Sequence, residues 1–162
     1  MTDEAAIRPA EPHEHQQLSE LALRSKAYWG YSPAFMTACR VELSVSTADI
    51  VHPDRSCWLA EIGGELVGYY ALERLSSTEY ELEALFVEPD FIGRGVGRQL
   101  IDHAKAIAQA RGAKSILIQG DPHAARFYEA VGAIRIGERE SGSIPGRFLP
   151  EFRLTLPSEP AT

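Results

Sequence analysis

A strand that runs into three closely spaced glycines and then a long amphipathic helix restricts the fold of this chain more than any other feature. It lies in mid-chain and reads Glu83-Ala-Leu-Phe-Val-Glu-Pro-Asp-Phe-Ile-Gly-Arg-Gly-Val-Gly-Arg98. The helix places Val96, Leu100, Ala104, Ile107 and Ala108 on one face and stops at Gly112. A strand, turn and one-faced helix in direct succession point to an α/β architecture. Glycines at the mouth of a helix let backbone N–H groups close around an anion, and the helix dipole adds partial positive charge there. Phosphate or pyrophosphate is therefore the first ligand to consider.

The flanking sequence supplies the rest of the layout. Ala6-Ile7-Arg8-Pro9 reads as a short strand, and Glu11 to Lys26, with Leu18, Leu21, Ala22 and Leu23, as a first helix. Tyr28 to Pro33 interrupts it, and Ser32 caps a second helix that begins at Pro33 and runs to about Leu43. From Cys57 the period changes. Cys57 to Ile62, a Gly63-Gly64 turn and Glu65 to Leu72 form a hairpin, and Tyr80 to Val87 extends it to an antiparallel meander. After the glycine-led helix, Lys114 to Gln119 is a buried strand, Asp121-Pro122 caps a fourth helix that ends near Gly132, and two strands close the chain (Ala133 to Ile136, Phe148 to Leu156). The tail 157–162 is expected to fray. No repeat, low-complexity segment or interior linker interrupts the 162 residues, so one domain is expected over 1–162.

Charge narrows the partners. The formal net charge is -7 and no basic stripe occurs, which argues against nucleic acid. An acidic chain that binds an anion must concentrate positive potential locally, and Arg94 and Arg98 sit on the glycine turn. The two cysteines, Cys39 and Cys57, lack metal or redox spacing and read as small core side chains, and the five histidines are scattered, so no metal is expected. The polar N-terminus and the absence of a long apolar run lead us to expect a soluble, cytoplasmic protein with no membrane contact.

A P-loop needs Lys followed by Ser or Thr after its last glycine, and Arg98-Gln99 stand there instead. A dinucleotide fingerprint needs a different glycine spacing at the opening of a parallel unit. An ordinary glycine-rich turn stays open on these residues alone. The order of elements, however, resembles the GCN5-related N-acetyltransferase (GNAT) superfamily over nearly the whole chain. Leu82 to Gly97 is similar to that family's pyrophosphate motif, Gln/Arg-x-x-Gly-x-Gly/Ala, with Ile92 in the first position. Asp121-Pro-His-Ala-Ala-Arg-Phe-Tyr-Glu-Ala-Val-Gly132 is similar to the helix that flanks the pantetheine arm, with Asp121 where Asn is common.

The resemblance implies a mixed, mostly antiparallel sheet flanked by about four helices, with acetyl-CoA as cosubstrate and an amine as acceptor. The acceptor would be a small molecule or a peptide. It implies Glu83 as general base, with Glu81 and Glu79 on the same face by strand alternation, and Tyr128 as the acid that protonates the leaving thiolate. Backbone at Leu85, Phe86 and Val87 would meet the pantetheine where the family's strand carries a bulge; Gly93, Arg94, Gly95, Val96, Gly97 and Arg98 would hold the pyrophosphate. Asp121 and Ala124 would line the cofactor arm. For the acceptor side the candidates are Trp29, Tyr31, Glu81, Gln119 and Arg147. Trp29 and Tyr31 read equally as packing between two helices, and Arg147 reads either as a lid residue facing a carboxylate or as part of a plain hairpin loop. A homodimer through the last strands is possible by analogy. The alternative from another class is a non-catalytic module that binds or senses acyl-CoA.

Overall fold

In the computed structural model residues 4–157 are described, so the tail expected to fray lies, beyond Pro157, outside the described residues. Seven strands form one sheet in the order β1-β2-β3-β4-β5-β7-β6. β1 (Ala6–Pro9), β2 (Arg55–Ile62), β3 (Glu65–Arg74) and β4 (Glu79–Val87) pair antiparallel in succession, as the meander pattern implies. β5 (Ser115–Gln119) runs parallel to β4. β7 (Phe148–Thr155) lies antiparallel between β5 and β6 (Ile134–Glu140). The mixed, mostly antiparallel sheet is the one expected.

Helices cover both faces. α1 (His15–Ala27) follows a 3-10 turn at Pro12–Glu14 rather than starting at Glu11, because Pro12 and the Glu11–Glu14 capping box tighten the entry. α2 (Pro33–Leu43) begins as read, with the Ser32 hydroxyl accepting from the Phe35 amide at 3.1 Å. A further short helix, α3 (Thr47–Val51), stands before β2, so the described residues hold five α-helices where about four were expected. Five residues are too few to display a helical period, although Ser46 and Asp49 form a capping box. α4 (Val96–Ala110) buries Val96, Leu100, Ile101, Ala104 and Ala108 against one sheet face. Each fully buried Leu or Ile there contributes roughly 1.5–3 kcal/mol of hydrophobic stabilisation. Leu18, Leu21 and Ala22 of α1 bury Leu59 and Tyr69 on the other face. α5 (Ala125–Ala130) follows a 3-10 turn at Pro122–Ala124.

Two irregularities of β4 shape the site. Ala71 of β3 pairs with Ala84, but Leu72 pairs with Leu82, so Glu83 is an extra residue in the strand, a β-bulge. The extra residue changes the parity of the strand. Tyr80 and Leu82 before it, and Leu85 and Val87 after it, all pack into the core beneath α4, while Ala84 and Phe86 pack toward α1. Second, the β4–β5 ladder runs only from Glu79–Ser115 to Leu82–Ile118. From Glu83 to Val87 the β5-side edge of β4 has no strand partner among the described residues. On the β5 side, Gly120 leaves room for the Tyr128 ring, which a Cβ there would meet at 2.9 Å. Pro122 then ends the extended run. The sheet is held open between the two strand ends.

Candidate active site

The split in the sheet opens into one cavity of about 800 Å³. Its wall runs from the glycine turn, along Leu85 to Val87, to a group of charged side chains at the opposite end. The glycine turn is built as its sequence implies. Gly95 caps α4 at φ 86°, in the left-handed region that a side chain would disfavour. Gln99 donates the first helical bond, to the Gly95 carbonyl, so the amides of Gly95, Val96, Gly97 and Arg98 have no intrahelical acceptor. Such a cluster at the positive end of a 15-residue helix fits a phosphate. Gly93 and Ile92 also line the cavity, and the Arg94 guanidinium lies 4.5 Å from the Phe91 ring centroid. Arg98 faces Asp102 at 3.7 Å on an exposed surface, a contact of small energetic weight.

Glu83 occupies the bulge, at the point where the β4–β5 ladder stops. Its side chain is 22% exposed and accepts a bond of 2.9 Å from Arg55 Nη2. Arg55 is shared: the same guanidinium meets Asp49 at 3.0 Å and Glu73 at 3.7 Å. One cation therefore serves three carboxylates. Burial pushes the Glu83 carboxyl up, and the neighbouring Glu73 carboxyl adds to it, against the opposing pull of Arg55. The net result is a carboxyl raised to about 8. Glu81 also lines the cavity and is raised by burial, with Arg139 at 3.6 Å pulling the other way. Glu79 does not join them. It lies on their side of the strand but four residues before Glu83, where it accepts from Ser115 at 3.2 Å and faces Arg153 at 3.8 Å, outside the cavity wall.

At the β5 end, Gln119 and Asp121 face the cavity and Ala124 follows on the 3-10 turn. Asp121 accepts from the His123 amide at 2.9 Å, from the Tyr31 hydroxyl at 2.8 Å and from Lys26 Nζ at 3.3 Å, with Arg147 Nη2 at 3.5 Å. Burial alone would raise its carboxyl, but these donors hold it below the ordinary value. Tyr31 stacks on Phe35 at 4.1 Å, and Arg147 lies 4.8 Å from the Phe35 ring centroid. Trp29 stacks on His123 at 5.0 Å and keeps one edge on the cavity. Tyr31 thus joins helix packing to a charged cluster, Trp29 does line the cavity, and the Arg147 loop is tied down rather than loose.

Tyr128 projects from α5 between Phe127 and Phe152, with ring centroids at 5.3 and 5.8 Å. It is 6% exposed and lines the cavity, and burial pushes its phenol above the ordinary value. Its hydroxyl makes no hydrogen bond among the described residues, so its proton is available to a ligand. The sequence reading did not find Asp49, Arg55 or Glu73. Arg55 lies 28 residues from Glu83 and reaches it from β2 across β3, a contact between two strands that do not pair and that no local pattern marks. Among the described residues no group of His, Cys, Asp and Glu is arranged to hold a metal, and no helix is long and apolar enough to cross a membrane.

Comparison with known proteins gives this geometry a family. The model of the acetyltransferase (GNAT) family matches residues 17–133. N-alpha-acetyltransferase RimI of Mycobacterium tuberculosis is 38% identical over 84 residues, 49% of this chain and 52% of the relative, so the match spans about half of that protein. Peptidyl-lysine N-acetyltransferase YjaB of Salmonella typhimurium is 30% identical over 121 residues, 74% of this chain and 77% of the relative. Among solved structures, PaiA N-acetyltransferase from Thermoplasma acidophilum in complex with coenzyme A superposes with a TM-score of 0.75 at 17% identity, covering 94% of this chain and 99% of that one. With a family match over most of its length and a shared fold, the chain belongs to the GNAT acetyltransferase family.

Proposed function

We propose that the protein transfers an acetyl group from acetyl-CoA to a primary amine, directly and with both substrates bound together. The observation that carries this reading is a single cavity joining the unpaired amides of α4 to the Glu83 carboxyl along an unpaired strand edge. Acetyl-CoA would supply an activated thioester, as its thiolate is a good leaving group. Its pyrophosphate suits the amides of Gly95 to Arg98 with Gly93 and Arg94 beside them, and its amide-bearing arm suits the free edge at Leu85, Phe86 and Val87. Ala124, Asp121 and Gln119 form the opposite wall of that channel. Ile92, where the family pattern has Gln or Arg, leaves the main-chain donors as the principal phosphate contacts.

Amine chemistry needs a base and an acid. An ammonium entering near Asp49, Glu73 and Glu83 meets two carboxylates against one guanidinium even when Glu83 carries its proton, which favours the cation at the site. Glu83, with a carboxyl at about 8, accepts the ammonium proton, directly or through water, and frees the nitrogen lone pair. The nitrogen then bonds to the acetyl carbon as the carbon–sulfur bond breaks and its electron pair stays on sulfur. Tyr128 donates its phenolic proton to that sulfur, and the second proton, shed by the newly acylated nitrogen, passes through water to restore the phenol, while Glu83 returns its proton to solvent. The raised proton affinity of Tyr128 keeps the phenol loaded at all working pH values, and a thiolate desolvated beside it gains basicity for the same reason. No enzyme-bound acyl group is required, and Cys57, the cysteine that lines the cavity, is itself held protonated, its thiol pushed up to about 11 by burial. The test is thiol release from acetyl-CoA with a panel of amines, alongside calorimetry with acetyl-CoA, ATP and NAD. Amine-dependent release and selective acetyl-CoA binding are expected; tighter binding of ATP or NAD, or binding without release, refutes the proposal.

A further inference from the structure

The acceptor end of the cavity is electrically two-sided. Its negative side is the bulge, where Asp49 and Glu73 outnumber Arg55 even while Glu83 carries its proton. Its positive side lies across the split, where Lys26 and Arg147 share one carboxylate, Asp121. The Lys26 and Arg147 side chains are only 14% and 18% exposed, and both line the cavity. Asp121 holds its charge at neutral pH, so it balances one of the two cations and leaves about one positive charge against low-dielectric walls. A buried cation is costly unless paired, and among the described residues Asp121 is the one carboxylate that forms an ion pair with either Lys26 or Arg147.

The hydrogen bonds of Arg147 point the same way. Nη2 makes its contacts to Tyr31 and Asp121, whereas Nε and Nη1 make none among the described residues. Neither nitrogen is enclosed by protein. The guanidinium carbon lies 4.8 Å from the Phe35 ring centroid and 5.3 Å from that of Tyr31, and these contacts with the Nη2 bonds restrict the group before any ligand arrives. A planar fork of this kind is matched by a carboxylate, which can accept two parallel N–H bonds. The strand register bounds the span. Glu83 is one residue past the last β4–β5 pair and Asp121 is three residues past it, so a paired ladder would set the two ends about 8 Å apart and the opening of the sheet makes the gap wider than that.

We infer that the acceptor is a small zwitterion, an amino acid or a close derivative, whose free carboxylate is held by Arg147 and Lys26 while its amine reaches the Glu83 side. This rests on the acetyl-transfer reading above. It excludes polyamines and other purely cationic amines as preferred acceptors, since their second charge would face Lys26 and Arg147. It also disfavours acceptors whose carboxylate is blocked as an amide or ester.

Thiol release from acetyl-CoA, measured with matched acceptor pairs, tests the inference. Each pair is an amino acid and its amide, or an ω-amino acid and the corresponding simple amine or diamine. A KM at least tenfold lower for the carboxylate-bearing member of one pair is expected. Arg147→Gln and, separately, Lys26→Gln should bring that KM ratio toward one, with Arg147→Lys retaining part of it; a merely structural role would weaken both members alike and keep the ratio. Equal KM values within every pair, preference for a diamine, or an unchanged ratio in both variants overturns the inference and leaves acetyl transfer standing. Release with no acceptor of either kind overturns both.

Discussion

Replacing Glu83 by Gln removes the carboxyl on which amine deprotonation is proposed to depend while keeping its size and its place in the bulge. With the carboxyl at about 8, roughly one site in eleven is ionised at pH 7 and roughly ten in eleven at pH 9. With acetyl-CoA saturating and the acceptor well below its KM, the Glu83 contribution to kcat/KM, which reports the free site, should therefore rise about tenfold across that interval and level off above it. Glu83→Gln should lower kcat by roughly 10²–10³-fold and abolish the inflection near pH 8, leaving whatever slope the amine itself contributes. Stability should move the other way. Because the folded state binds the Glu83 proton more tightly than the unfolded chain, this group is neutral in its effect below the ordinary carboxyl value near 4.5 and increasingly destabilising as pH rises toward 8. Glu83→Gln should then match the native protein in melting temperature near pH 5 and exceed it near pH 8.5, with Arg55 still compensated by Asp49 and Glu73. Stopped thiol-release assays from pH 6 to 9.5, paired with thermal melts at both pH values, read the two effects. An inflection near pH 8 that survives in Glu83→Gln refutes Glu83 as the base, whatever the drop in rate.

Arg55→Gln takes away the cation shared by Asp49, Glu73 and Glu83, so the pH–rate inflection should move upward; a downward move would mean that Arg55 does not oppose the raised Glu83 carboxyl. Tyr128→Phe should lower kcat by roughly 10²-fold with little change in either KM. Since the hydroxyl has no partner among the described residues, its melting temperature should stay near the native value, and an unchanged kcat would remove the acid role. Gly95→Ala places a side chain at φ 86°, costing about 1–2 kcal/mol and turning the α4 amides off their aim. Calorimetry should find acetyl-CoA binding weakened about tenfold, and unaltered binding would mean that these amides do not hold the phosphates.

Much of the fold could be read locally because local physics sets it. Ser32-Pro33 starts α2, and the apolar face of α4 can be read from Val96, Leu100, Ala104 and Ala108 before any tertiary contact is known. The bulge at Glu83 left a faint mark: apolar residues fall at Tyr80 and Leu82, then at Leu85 and Val87, a break in the period of two. Alternation places Glu79 on the face of Glu81, opposite the buried Tyr80 and Leu82, but only pairing with β3 shows where the extra residue goes. α3 was hidden by its length, with Ser46 and Asp49 as its one signal.

The sequence by itself determined the side of the cavity proposed to hold the donor. Glycines that permit a left-handed turn, a helix mouth with free amides and the strand leading into it are all contiguous, so spacing alone brings them together. The side proposed to take the acceptor was decided by tertiary structure. Arg55 reaches Glu83 across 28 residues, and Arg147 reaches Tyr31 across 116 and Asp121 across 26. Neither the raised Glu83 carboxyl nor the excess charge beside Asp121 belongs to any residue alone; both arise from burial and from which distant side chains share a low-dielectric wall.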